Sequence, residues 1–228
     1  MEEDGERGQA FIMEIKAVIF DLDGVIVSTD NCHYEAWKRL ADDELIYFDR
    51  NINERLRGVS RMESLEIILE KTERVYTEEE KIQLAERKNE CYKKLIEQLN
   101  SENILPGVMQ VLSGLKEKGI KIAIGSSSKN SPMILRHIGL ENYFDATADG
   151  NDIKKSKPDP EVFLLAANRL GIEPSECLVV EDADAGVEAA LAGGMHVLAV
   201  GCASENKKAT ICAKDLSEIS LEFMLEIN

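Results

Sequence analysis

Two carboxylates stand two residues apart at the end of a short apolar stretch near the start of the sequence. The run from Ala17 to Phe20 is typical of a buried strand, and Asp21 and Asp23 follow it directly. Alternate residues of an extended chain project to the same side, so both carboxylates should leave the carboxyl end of one strand, where Gly24 permits a sharp turn. Open α/β sheets bind their ligands at that end.

A carboxylate pair of this kind can perform phosphoryl transfer. Two close negative charges repel each other unless a cation lies with them or they share a proton, and Mg²⁺ prefers oxygen ligands and substrate phosphates. One carboxylate can attack phosphorus and form an aspartyl-phosphate, while the other moves a proton. The spacing alone fits equally well a strand that ends in acidic turn residues.

Further polar groups suited to the same site follow later strand-like segments. Parallel strands bring their carboxyl ends to one edge of a sheet, so these groups should converge on the first pair. Taken singly, each is also explained as a turn, a loop or a solvated lysine. The groups are Ser126 after a strand predicted at Ile120 to Ile124, Glu181 and Asp182 after one at Cys177 to Val180, and Lys157 in a loop.

The elements that position these groups form two patterns. From Pro106 onward, strand-like and helix-like segments alternate, which predicts a parallel sheet with helices on both faces. Residues 29–100 show helical periodicity, two capping boxes and no strand pattern. We therefore predict an α/β fold: a Rossmann-like parallel sheet core formed by 14–28 and 101–228, with an inserted helical cap domain at 29–100. The polar residues 1–13 predict a disordered tail.

The segment Asp21-Leu22-Asp23-Gly24-Val25 resembles the first motif of the haloacid dehalogenase superfamily of phosphotransferases. Together with the later motifs, the chain resembles the sugar-phosphate mutases of that superfamily from about Ile15 to near the C-terminus. One departure lies at the hinge into the cap, where the family usually carries Asp followed by Ser or Thr and this chain has Ser28-Thr29.

The resemblance implies a role for each core residue. Asp21 would be the nucleophile and a metal ligand, and Asp23 the general acid/base, whose backbone carbonyl also contacts the metal. Positive groups that are already in place are usually the largest catalytic contribution to such a transfer. The remaining catalytic and metal-binding residues are Ser126, which binds the transferring phosphoryl oxygens, Lys157, which neutralises charge on Asp21, and Glu181 and Asp182, which complete the Mg²⁺ site.

The same resemblance implies a sugar-phosphate site between the cap and the loop after the second core strand. Arg61 would grip the phosphate that is not being transferred, because its rigid fork matches phosphate oxygens. His33 and Lys88 would couple cap closure to proton transfer at Asp23, while Trp37 fits cap core as well as a sugar contact. The predicted substrate-binding residues are His33, Trp37, Gly58, Val59, Ser60, Arg61, Lys88, Ser126, Ser127, Ser128, Lys129 and Asn130.

The implied activity is an isomerase of carbohydrate metabolism. It would interconvert β-D-glucose 1-phosphate and D-glucose 6-phosphate, with Mg²⁺ as cofactor, through an aspartyl-phosphate and β-glucose 1,6-bisphosphate. A sugar-phosphate or phosphoglycolate-type phosphatase would carry the same core residues. A non-enzymatic phospho-receiver module is a third reading, although a helical cap has no place in a receiver.

Composition limits the partners and the compartment. The net charge of −16, with no block of basic residues, argues against binding to nucleic acid or to an anionic membrane. The five cysteines are scattered and form no C-x-x-C pair, which favours free thiols in a reducing cytoplasm. No apolar run is long enough to span a bilayer. We expect a cytoplasmic monomer that acts on small sugar phosphates.

Overall fold

A computed structural model describes residues 13–56 and 59–227 of the chain. Its centre is a six-stranded sheet in the order β4-β3-β2-β5-β6-β7, in which every neighbouring pair is parallel. This sheet confirms the predicted Rossmann-like α/β core. Its strands are β2 (Ala17–Phe20), β3 (Lys121–Gly125), β4 (Ala146–Ala148), β5 (Cys177–Glu181), β6 (His196–Ala199) and β7 (Ile211–Cys212).

A second, two-stranded antiparallel sheet joins the two ends of the described chain. It consists of β1 (Met13–Glu14) and β8 (Glu226–Ile227), and Met13 pairs with Ile227. The backbone of Met13, the last residue of the predicted tail, belongs to this sheet. Residues 1–12 lie outside the described part of the chain.

The central strand β2 is buried on both faces, as parallel sheets require. Val18 and Phe20 pack into one apolar cluster, while Ala17 and Ile19 pack into another on the opposite face. Helices cover both faces and bury these two clusters. They are α5 (Val108–Glu117), α6 (Ser131–His137) and α9 (Leu221–Leu225) on the side of Phe20, and α7 (Glu161–Leu170) and α8 (Asp184–Ala192) on the side of Ile19.

Four α-helices lie between residues 29 and 100, and the described residues of this range contain no strand. A third apolar cluster, centred on Trp37, Leu65 and Leu84, lies among these helices. We keep the division into a core and an inserted cap as a proposal, which this separate cluster supports. The helices are α1 (Asp30–Asp43), α2 (Arg50–Glu54), α3 (Arg61–Leu69) and α4 (Glu78–Ile96).

Both predicted capping boxes of the cap are present, and they set where α3 and α4 begin. Ser60 pairs with Glu63 before α3, and Thr77 pairs with Glu80 before α4. None of the described helices has the length and apolar character needed to cross a membrane.

Candidate active site

A cleft of about 580 Å³ opens between the carboxyl ends of the strands and the helices α1, α3 and α4. All predicted site residues within the described chain line it, from the core as well as from the cap, and Gly58 lies outside the described residues. They are Asp21, Asp23, His33, Trp37, Val59, Ser60, Arg61, Lys88, Ser126, Ser127, Ser128, Lys129, Asn130, Lys157, Glu181 and Asp182.

A buried lysine lies between two carboxylates at the floor of the cleft. Lys157 Nζ lies 2.6 Å from Asp21 Oδ1 and 2.6 Å from Glu181 Oε1, and 4.5 Å from the centre of the Phe163 ring. Burial disfavours the charge of this lysine, but attraction to Asp21 and Glu181 outweighs burial and raises the pKa of Lys157. The lysine is therefore a permanent cation in contact with the predicted nucleophile.

Both carboxylate oxygens of Glu181 accept hydrogen bonds from other residues of the protein. Its Oε1 accepts a hydrogen bond from Lys157 and its Oε2 accepts one from the backbone N–H of Ala183, at 2.7 Å. This carboxylate anchors the lysine, and each of its oxygens keeps a second lone pair, so the role of Glu181 as a metal ligand stays a prediction. Within the described residues, no group of three His, Cys, Asp or Glu side chains is placed to hold a metal ion.

Asp182 is packed against Gly24, the residue at which the chain turns after β2. Gly24 has a φ of +85°, and a Cβ built there would lie 2.1 Å from Asp182 Oδ2, so only glycine fits between the two loops. Burial and the neighbouring carboxylates Glu181, Asp21 and Asp23 raise the pKa of Asp182 to about 9. Four carboxyl groups thus crowd the floor of the cleft around one lysine, and without a cation Asp182 keeps its proton at neutral pH.

Asp23, the predicted acid/base, is held by one residue at both of its oxygens. Thr29 donates from its backbone N–H to Oδ1 at 2.7 Å and from its hydroxyl to Oδ2 at 2.5 Å. Burial raises the pKa of Asp23 to about 6, against the opposing effect of these two hydrogen bonds. A carboxyl with this pKa can both give and take a proton near neutral pH. Ser28, at the usual Asp position, is exposed and leaves these contacts of Thr29 intact.

His33 and Lys88 connect the cap to Asp23, as the resemblance implied. Lys88 Nζ lies 2.8 Å from His33 Nδ1, and His33 Nε2 lies 3.7 Å from Asp23 Oδ2. Burial, together with the nearby cations Lys88 and Arg61, lowers the pKa of His33, so its ring is neutral. When Lys88 is protonated, its ammonium can only donate, so Nδ1 of His33 is then the acceptor and the N–H at Nε2 faces Asp23.

Trp37 is a support for Lys88. Only 2% of Trp37 is exposed, and it packs in the apolar cluster of the cap. Lys88 Nζ lies 4.8 Å from the centre of its ring and 4.6 Å from that of Tyr92, within the range of cation–π attraction. Of the two predicted roles of Trp37, this geometry favours cap core over direct sugar contact.

The loop between β3 and α6 is organised by its own hydroxyls. Ser126 Oγ accepts from the N–H of Ser128, and Ser128 Oγ accepts from the N–H of Asn130, both at 3.2 Å. The Asn130 side chain then donates to Asn89 of α4 at 3.0 Å, which ties this core loop to the cap. The Ser127 hydroxyl is buried and has no hydrogen-bond partner within the described residues.

Arg61 begins α3 beside the capping box and reaches into the cleft. Burial lowers its pKa, and its guanidinium pairs with no carboxylate among the described residues. Other arginines of the cap are paired: Arg55 with Glu70, Arg74 with Glu80, and Arg87 with Glu44. A partly buried guanidinium that lacks a protein anion is suited to an anionic ligand. Ser60, predicted to bind substrate, uses its side chain in the capping box.

Asn89, next to Lys88, also resembles a position of the family's substrate site, and it lines the cleft. Its contact to the core loop has no local signal in the sequence. Several other lining residues were not in the predicted set. Tyr92 matches the apolar spacing of α4, and the sequence does not indicate the hydrogen bond of its hydroxyl. The additional lining residues with polar side chains are Asp30, Asn53, Ser64, Glu86, Tyr92, Lys154 and Ser156.

The parallel sheet, with carboxylates and a lysine at its carboxyl edge, is the fold of the haloacid dehalogenase superfamily of enzymes. A family model described as haloacid dehalogenase-like hydrolase matches residues 15–194, and the chain belongs to that family. It is 44% identical to the β-phosphoglucomutase of Bacillus subtilis over 214 residues, which cover 93% of this chain and 95% of that protein.

Two further comparisons bear on the activity. The crystal structure of a β-phosphoglucomutase from Clostridium difficile matches with a TM-score of 0.85 and 42% identity, over 92% of this chain and 95% of that one. A phosphorylated carbohydrates phosphatase of Thermotoga maritima is 35% identical over 80% of this chain and 83% of its own. The relatives therefore include both a mutase and a phosphatase.

Replacing Lys88 by Met should stabilise the fold. Burial lowers the pKa of Lys88 from 10.5 to about 7, so the folded protein pays for its charge at neutral pH. Between pH 7 and pH 10.5 the unfolded chain binds more protons than the folded chain, so the stability of the wild-type protein rises with pH. We expect Lys88→Met to raise the free energy of unfolding by about 1–3 kcal/mol at pH 7. Near pH 10.5 the increase should be less than half as large.

Urea denaturation of wild type and Lys88→Met at pH 7 and at pH 10.5 measures this difference in the free energy of unfolding. Lys93→Met is the matched control, since Lys93 lies on the same helix and pairs with Glu90 at the surface. It should change stability by no more than about 0.5 kcal/mol at either pH. A Lys88→Met variant that is less stable than wild type at pH 7 would contradict the prediction.

Proposed function

We propose that the protein is a β-phosphoglucomutase that interconverts β-D-glucose 1-phosphate and D-glucose 6-phosphate. The observation that carries this proposal is Arg61, a guanidinium that pairs with no carboxylate of the described residues and lines the same cleft as Asp21, but from the cap. A mutase must hold two phosphates of one sugar, one at the nucleophile and one at a distance. The 44% identity to the B. subtilis β-phosphoglucomutase supports the same function.

In the first step, a phosphoryl group passes from phospho-Asp21 to the 6-hydroxyl of β-glucose 1-phosphate. The new bond joins phosphorus to the sugar oxygen, the bond to Asp21 breaks, and Asp23 takes the hydroxyl proton. The bisphosphate then turns round in the cleft. Asp21 attacks the phosphorus at the 1-position, and Asp23 returns its proton to the leaving oxygen, which releases glucose 6-phosphate.

The other residues of the floor stabilise charge during both transfers. Lys157 is held by Glu181 against Asp21, so its charge is in place before the substrate arrives. We assign Ser126 and nearby backbone N–H groups to the transferring phosphoryl oxygens, and Ser128 and Asn130 to the distal phosphate or the sugar hydroxyls. Ser127 and Lys129 complete this substrate-binding loop. The contact of Asn130 to Asn89 lets the loop respond to the position of the cap.

Mg²⁺ is the proposed cofactor. The donors that would hold it are Asp21, Glu181, Asp182 and the backbone carbonyl of Asp23, an all-oxygen set of the kind this ion prefers. The raised pKa of Asp182, crowded by three other carboxylates, fits a site whose charge is balanced by a bound cation. When bound, the ion supplies positive charge to the phosphoryl oxygens.

A sugar-phosphate phosphatase is the second candidate, supported by the 35% identical T. maritima phosphatase. The two functions differ in whether water reaches the phospho-aspartate, because a mutase must exclude water while its intermediate reorients. We also propose a cytoplasmic location on the basis of the free cysteines.

A coupled assay separates the two candidates. The enzyme is supplied with β-glucose 1-phosphate, Mg²⁺ and a trace of β-glucose 1,6-bisphosphate, and glucose 6-phosphate and free phosphate are measured in parallel. We expect glucose 6-phosphate to be the dominant product. Release of phosphate without glucose 6-phosphate would reject the mutase and favour the phosphatase.

A further inference from the structure

A buried chain of hydrogen bonds runs from the cap to the predicted acid/base. The Tyr92 hydroxyl donates to Thr29 Oγ1 at 3.0 Å, and the Thr29 hydroxyl donates to Asp23 Oδ2 at 2.5 Å. Tyr92 lies on α4, Thr29 directly precedes α1, and Asp23 follows β2. The chain therefore connects the far helix of the cap with the core.

The direction of this chain is fixed by its burial. Tyr92 is 1% exposed and Thr29 is 0% exposed, so water has no access to replace either hydroxyl. Burial raises the pKa of Tyr92, which keeps the phenol protonated and able to donate. Because Thr29 Oγ1 accepts from Tyr92, its single hydrogen is directed at Asp23.

Tyr92 also supports the second group that faces Asp23. The rings of His33 and Tyr92 lie with their centres 4.2 Å apart, and His33 Nε2 points toward Asp23 Oδ2. The two side chains that approach this carboxylate oxygen from the cap, Thr29 and His33, thus both contact Tyr92.

We propose that Tyr92 is a positioning residue for proton transfer: acting through Thr29, it fixes the orientation of the Asp23 carboxyl only while α4 is docked against the core. This inference rests on the proposed function, which makes Asp23 the acid/base. It gives α4 a part in the chemistry that its apolar spacing does not indicate.

A double-mutant cycle tests the route through Thr29. Tyr92→Phe removes one hydroxyl and should lower kcat by about 5–20-fold with less than a two-fold change in KM, the size expected for a lost hydrogen bond next to a charged group. Thr29→Val should lower kcat by at least as much. In the Thr29→Val background, Tyr92→Phe should cause no further loss, because the intermediate hydroxyl is already gone.

Two variants guard against a general structural effect. Thr29→Ser keeps the hydroxyl and should restore sensitivity to Tyr92→Phe. Tyr76→Phe is the matched control, since Tyr76 is another buried tyrosine of the cap, and its hydroxyl donates to Glu44 away from the cleft. It should leave kcat within about two-fold.

The outcomes separate this inference from the proposed function. Losses that multiply in the double variant, or an unchanged kcat in Tyr92→Phe, would overturn the positioning role. If the wild-type enzyme releases phosphate and forms no glucose 6-phosphate, the proposed function fails. The same cycle is then read on the rate of phosphate release, which requires the same proton transfer.

Discussion

Arg61→Ala is expected to lower glucose 6-phosphate formation from β-glucose 1-phosphate by about 10²–10³-fold, the cost of losing a charge-assisted grip on a phosphate. Hydrolysis of a small monophosphate such as acetyl phosphate should stay within about three-fold, because that substrate has no distal phosphate to hold. Steady-state rates of wild type and Arg61→Ala with both substrates measure this difference between the two activities.

Two further variants sharpen this prediction. Arg61→Lys keeps the charge but loses the fork, and should recover only part of the mutase rate. Arg55→Ala is the matched control from the same domain, because Arg55 pairs with Glu70 at the surface and does not line the cleft. Equal losses on both substrates in Arg61→Ala would show that Arg61 supports the cap rather than binding the distal phosphate.

The core of the site could be predicted because it depends on local spacing and one topological rule. An apolar run followed by Asp21 and Asp23 places carboxylates at the end of a strand. The parallel sheet then brings Ser126 and Glu181 beside them, since β3 and β5 flank β2. Each step follows from the order of residues along the chain, without knowledge of side-chain packing.

The hydrogen-bond partner of each polar group could not be predicted in this way. Glu181 was predicted as a metal ligand, and the sequence does not indicate that its oxygens also accept hydrogen bonds from Lys157 and from the N–H of Ala183. Tyr92 matched the apolar face of a helix, yet its hydroxyl lies on Thr29. In both cases the deciding contact depends on how separate elements pack, and several acceptors are chemically equivalent in the sequence.

The same limit applies to the ends of the chain. The short sheet formed by Met13–Glu14 and Glu226–Ile227 has no strand pattern of its own, because two residues per strand carry no periodicity. Its pairing is stabilised by context, including the burial of Ile227 against the cluster on the side of Phe20. Long apolar runs in a sequence therefore predict the strands of a central sheet but do not predict two-residue strands of this kind.

Asp21→Asn should abolish turnover, with a loss of at least about 10⁴-fold, because an amide oxygen cannot form the covalent intermediate at a comparable rate. Wild-type enzyme mixed with β-glucose 1,6-bisphosphate and quenched in acid should gain the mass of one phosphoryl group on a peptide that contains Asp21. The variant should gain none. The fold should persist, since Lys157 keeps its contact to Glu181.

The control for this loss is another buried aspartate at the same edge of the sheet. Asp149 directly follows β4, is 8% exposed, and accepts hydrogen bonds from Asn151 without lining the cleft. Asp149→Asn should cost stability, while the labelled peptide still appears and turnover persists.

If the phosphoryl label survives in Asp21→Asn, the nucleophile is a different residue. Label that is lost equally in both variants would mean that the chemistry depends on the integrity of this sheet edge and not on one carboxylate. The contrast between two buried aspartates at one sheet edge therefore tests whether the phosphoryl group is carried by Asp21, which contacts Lys157, or depends on a general property of this edge.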